Sequence, residues 1–130
     1  MIIQKIFLKK YNWRVVVLYN VTEYDINKIK SILSEICNNE DTIENSVRYI
    51  KKGEYNTGFI YSNYIDKASL IVIGKADSKR QLINTIAHEA NHLQSHIATV
   101  FDLDEKGEEV CYLIGYIMEI MFKVFSKIIC

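Results

Sequence analysis

The three histidines of this 130-residue chain all lie in one short stretch, at His88, His92 and His96. Glu89 follows the first of them, giving His88-Glu89-Ala90-Asn91-His92. On a helix, residues four apart share a face, so His88 and His92 project their rings side by side. Two imidazoles so placed can share one zinc ion, each about 2.0–2.1 Å from it. Glu89 projects beside that face and would reach a water on the metal rather than the metal itself. Zinc lowers the pKa of its bound water to roughly 7. An ionised carboxylate beside that water can take its proton during attack on a carbonyl and pass it to the leaving amine. The expected site is therefore one Zn2+ per chain on His88 and His92, with Glu89 as general base.

The alternative is a solvated helix face with scattered histidines. Placed at 100° per residue, Leu82, Ile86, Ala90, Leu93, Ile97 and Val100 cluster about one direction, while His88 and His92 sit roughly 120–160° away. The histidines thus stand apart from the stripe that would anchor the helix. The pattern fixes three of five positions, so a chance match is expected well under about one time in a hundred chains of this length.

A third protein ligand must come from elsewhere. The candidates are His96, Asp102, Asp104, Glu108 and Glu109. His96 lies two turns past His88, about 12 Å along the axis, which one ion does not readily span. A following helix packed antiparallel would bring its first turn, with Glu108 and Glu109, near the site. Asp104 could instead orient a histidine.

His88 to His92 with Glu108-Glu109-Val110-Cys111-Tyr112 resembles the gluzincin group of zincin metallopeptidases. In that group a glutamate, followed three positions later by a small residue, completes the zinc site. The resemblance implies Glu108 as third ligand, with Cys111 as the small residue and Glu109 as the alternative. It covers roughly residues 69 to 116 and implies a peptide or protein substrate paired with an edge strand beside the site helix. Ser69 to Gly74 is the segment expected to be that strand. The chain is also similar to small zincin-like proteins of phages and gut bacteria, a likeness that brings no known substrate. It departs from larger peptidases in lacking an obvious second lobe. For oxyanion donors, Tyr61, Tyr112, Tyr116 and His96 are the candidates.

The elements that must position these residues follow from periodicity. Ile2 to Leu8 and Trp13 to Tyr19 are rich in β-branched and aromatic residues and predict strands, with a turn between. Thr22, with Asp25 three residues on, predicts the start of a helix carrying Ile26, Ile29, Leu33 and Ile36. A second helix is expected from Asp41, with Glu44 completing a capping box, Ile43, Val47 and Ile50 on its apolar side, and Gly53 as its stop. Thr57 to Asn63 and Ser69 to Gly74 predict two more strands. The second is a nearly unbroken apolar run, which suits a strand covered on both faces or one whose free edge meets a ligand. Ser78 and Gln81 predict the cap of the site helix, running to about Val100. A polar loop from Phe101 to Gly107 precedes a last helix from about Glu108. Strands mixed with segregated helices predict one α+β domain over residues 1–130, a small zincin-like unit with a mixed or antiparallel sheet.

Composition narrows the partners. Sixteen basic residues balance sixteen acidic ones, so no basic face for nucleic acid is expected. In the last helix, Glu119, Lys123 and Lys127 recur every four residues and draw a charged stripe, which argues against a membrane span. No secretory leader is legible at the N-terminus. Cys37, Cys111 and Cys130 have neither disulfide-framework nor metal-ligand spacing, so reduced thiols in a cytoplasmic protein are expected, two of them in the core. A non-catalytic zinc domain is the first competing expectation. The second is a metal-free interaction domain using Met118, Met121, Phe122 and Phe125.

Overall fold

The computed structural model of the protein describes residues 1–129. Strand β1 (Ile2–Leu8) turns through a single 3-10 turn at Lys9–Tyr11 into β2 (Trp13–Val21). Asn12 makes that turn possible by adopting a left-handed conformation, φ 50°. Helices α1 (Ile26–Ser34) and α2 (Glu40–Lys51) follow, then β3 (Gly58–Asn63), β4 (Ala68–Gly74), α3 (Lys79–Phe101) and α4 (Glu108–Ile129).

The four strands form one mixed sheet in the order β1-β2-β4-β3. β1 pairs antiparallel with β2, β2 parallel with β4, and β4 antiparallel with β3. Helices cover both faces. Trp13, Val15, Val17 and Tyr19 of β2, with Ile71 and Ile73 of β4, point into a core shared with Leu82, Ile86, Ala90, Leu93 and Ile97 of α3 and Leu113, Ile117 and Met121 of α4. Leu18, Leu70 and Val72 point the other way, onto Ile29 and Leu33 of α1 and Val47 and Ile50 of α2. The architecture is the expected α+β fold, with a mixed sheet.

Several local expectations are refined. The Asp25 carboxylate accepts from the Thr22 backbone N–H at 3.0 Å, but this pair opens a 3-10 turn (Glu23–Asp25) that leads into α1. Asn39, whose side chain accepts from Thr42 N–H at 3.0 Å, caps α2. Glu44 does not complete a cap; it pairs with Lys30 and Lys51 at 2.6 and 2.8 Å. Ser78 caps α3 as expected, accepting from Gln81 N–H at 3.1 Å.

The strand expected at the sheet edge is not there. β4 lies between β2 and β3 and is buried along its whole length. Its apolar run reflects helices on both faces, the first of the two readings such a run allows. The edge beside α3 is β3, half-buried throughout.

In α4, Val110, Leu113, Ile117, Met121 and Phe125 are buried and Phe122 is exposed. Met121 and Phe125 therefore belong to the core rather than to an outward apolar face. Cys111, one position past Val110, is turned outward and exposed, whereas Cys37 is buried. Cys130 lies outside the described residues. Among the described residues, no helix is long and apolar enough to cross a membrane.

Candidate metal centre

Helix α3 is gripped on three sides, and the histidines occupy the fourth. Ile86, Ala90, Leu93 and Ile97 face the sheet, and all are fully buried. Thr85 and Glu89 lie against the start of β3, where a Cβ on Gly58 would stand 2.9 Å from Thr85 Cγ2 and 3.3 Å from Glu89 Cγ. The bare backbone of Gly58 is thus what lets Glu89 lie between helix and edge strand. Gln94 and Ala98 are buried on the opposite flank. His88 and His92 remain exposed.

The two imidazoles are turned towards each other, with Nε2 atoms 3.1 Å apart and ring centroids 4.6 Å apart. Two zinc–nitrogen bonds at a tetrahedral angle separate their nitrogens by about 3.3 Å, so the pair is already spaced for one ion. Glu89 lies beneath them. Its side chain is 3% exposed, and Oε1 is 4.0 Å from His88 Nε2. Oε2 is buried and has no hydrogen-bond partner. Burial holds the carboxyl above the usual carboxylate range, opposed by the nearby His88. An unpartnered carboxylate oxygen is costly to bury, so it calls for a group to bind. One ligand atom from each of His88, Glu89 and His92 fits within 4.8 Å of the others, the separation a single cation needs. Donor set, spacing and orphaned oxygen all fit a divalent metal with two nitrogen ligands and an adjacent base.

The expected third ligand is not brought to this cluster. The α3–α4 hairpin turns within a few residues, so the first turn of α4 lies level with the end of α3. Glu109 accepts from Tyr11 Oη at 2.8 Å and pairs with Lys10 at 3.0 Å, and Tyr11 packs edge-on against Phe101 at 5.2 Å. Phe101 is nine residues beyond His92, about 13 Å along the axis. Glu108 joins Glu109, Tyr112 and Tyr116 around a separate cleft of about 610 Å3 at that end of the molecule. An antiparallel return helix puts its middle, not its start, opposite the middle of α3. Asp102 ends α3 in a left-handed conformation, φ 53°, and the Asp104 carboxylate accepts from Lys106 N–H within the loop.

Of the four groups considered as oxyanion donors, three are elsewhere. Tyr112 and Tyr116 line the cleft at the start of α4. Tyr61 packs into the core beneath α1 and α2, on the far face of the sheet. His96 stays with the site. Its ring centroid is 6.3 Å from that of His92, and its Nδ1 is 2.7 Å from Ser62 Oγ of β3. Burial, and then the neighbouring His92, lower its pKa below the ordinary histidine value. Ser62 Oγ is in turn 2.6 Å from Ser69 Oγ, which accepts from Trp13 Nε1 at 2.8 Å. Ser62, Ser69, Trp13 and Gly58 escape sequence reasoning, because only the strand order brings them to α3.

Comparison with protein-family models, curated proteins and solved structures finds no match to this chain.

Proposed function

We propose that the chain is a zinc-dependent metallopeptidase, similar to zincins, in which His88 and His92 hold the metal and Glu89 is the general base. The observation that carries this reading is the buried Glu89 carboxylate, with Oε2 unpartnered, beneath two imidazole nitrogens 3.1 Å apart. Bound zinc would supply Lewis acidity toward a water and a carbonyl oxygen. Glu89 would accept the proton of the attacking water and return it to the departing amine. Its burial between α3 and β3 shields that carboxylate from bulk solvent, and burial raises its pKa, the direction that helps it take up a proton.

The substrate would be an extended peptide added to the free edge of β3, whose backbone groups on that side are not paired in the sheet. Gly58 and Ser62 tie this strand to α3 at Glu89 and His96, so a peptide on it would pass beside the base. Unpaired Cys37 and Cys111 suit a reducing, cytoplasmic setting.

The test is Glu89→Gln assayed against a peptide library with zinc content measured in parallel. Zinc should be retained and cleavage should fall about 10²–10⁴-fold. Equal cleavage by the variant would sink the mechanism. A second reading, a zinc-binding domain without peptidase activity, is favoured by one observation: neither Glu108 nor Glu109 joins the histidines. Zinc uptake with no cleavage of any library member would select it.

A further inference from the structure

His96 is tied into a chain of four polar groups whose proton order can be worked out by counting donors. Trp13 Nε1 can only donate, so Ser69 Oγ accepts from it. Ser69 is 3% exposed, and its hydroxyl hydrogen needs an acceptor. Ser62 Oγ, 2.6 Å away, is the one within reach. The Ser62 hydroxyl then donates to His96 Nδ1 at 2.7 Å. In this order the indole hydrogen and both serine hydroxyl hydrogens have acceptors, and only the ring N–H is left without one among the protein's groups. Any order that puts a proton on Nδ1 leaves one serine hydroxyl without an acceptor among the protein's groups. The order that satisfies both serine hydroxyls, the Ser69 one buried, is the one with the ring proton on Nε2.

That nitrogen makes no hydrogen bond to the described residues. The ring is held by Ser62 on one side and packs against Tyr64, centroids 5.6 Å apart. The three imidazoles form a row along α3, with centroid spacings of 4.6 and 6.3 Å. Two of them offer lone pairs to a cation, and the third offers an N–H next to it.

We propose that His96 is a neutral hydrogen-bond donor of the site, its Nε2–H fixed by the Trp13–Ser69–Ser62 relay and presented to an oxygen of whatever ligand the metal holds. For the zinc peptidase proposed above, on which this inference rests, that oxygen is the substrate carbonyl as negative charge develops on it. A donor locked in one tautomer by the fold needs no reorganisation when the charge appears. Ser62 is then a positioning residue: its loss leaves the ring in place beside Tyr64 but frees the tautomer.

The experiment has two arms. The first is long-range 15N–1H correlation of the histidine rings in the metal-free protein, where His96 should show a bare Nδ1 and a protonated Nε2, and Ser62→Ala should give a tautomer mixture. A protonated Nδ1 in the unsubstituted protein overturns the proposal, whatever the metal does. The second is calorimetric titration of the zinc-loaded protein with acetohydroxamate, a small chelator with oxygens to accept the N–H. His96→Phe, which keeps a ring but removes the donor, should weaken binding about three- to tenfold. Ser62→Ala should weaken it less, and His88 and His92 should still hold the zinc in both. Unchanged acetohydroxamate affinity in His96→Phe overturns the donor role. Failure of the protein to take up zinc at all overturns the peptidase reading and the donor role with it, while the tautomer remains readable in the first arm.

Discussion

Replacing Glu89 by glutamine should stabilise the metal-free protein at neutral pH. The carboxylate is 3% exposed, Oε2 has no partner, and Oε1 is 4.0 Å from His88 Nε2, beyond hydrogen-bond distance. Charging such a group inside the fold costs desolvation energy that its surroundings do not return, which is why its pKa is raised. Glutamine keeps the shape and an unpaired amide but removes the charge, so the gain is about 1–3 kcal/mol. The sign follows from linkage. A carboxyl whose folded pKa lies above its unfolded value, about 4.3, costs the fold nothing below that value. The cost grows as pH rises from there through the folded pKa and is then constant. The advantage of Glu89→Gln should therefore be near zero at pH 4 and larger at pH 7.5. Urea denaturation of both proteins in chelator at the two pH values measures it. A variant less stable than the parent at pH 7.5 would refute the reasoning, because the carboxylate would then have a favourable partner inside the fold.

Other substitutions probe the positioning. Gly58→Ala puts a Cβ 2.8 Å from Val72 O and 2.9 Å from Thr85 Cγ2, so it should destabilise by about 1–3 kcal/mol in the same urea experiment; no loss would mean β3 does not lie this close to α3. Glu108→Gln should leave zinc affinity unchanged in a competition titration, since Glu108 lies near the end of α3 with Glu109. A tenfold or greater loss would restore it as a ligand. Burial, and then the Glu109 carboxylate, hold the Tyr11 hydroxyl above its ordinary pKa, so Glu109→Gln should be equally silent for zinc and, by removing the negative charge, should let Tyr11 ionise at lower pH, measurable by ultraviolet titration.

The site helix was legible in sequence because its signals are local. Ser78 and Gln81 mark its start, the apolar stripe marks its buried face, and the spacing of His88 and His92 sets their rings together. The strands were legible for the same reason. Strand order was not, because it depends on which neighbours cover an apolar run. Ser69 to Gly74 reads the same whether it is central or at an edge, and only the pairing with both β2 and β3 decides. The start of α4 at Glu108 is legible in sequence, but how far along α3 that start lies from His92 depends on where the hairpin turns, which residue spacing alone does not display. The axial offset of His96 from His88 is equally local and argues against the two sharing one ion. Its link to β3 through Ser62 could not be seen without the sheet.

The most direct test of the central claim is native mass spectrometry of protein purified without chelator, beside His92→Ala. The account predicts one zinc per chain in the parent and none in the variant. No metal in either protein, even after zinc is added, would contradict it.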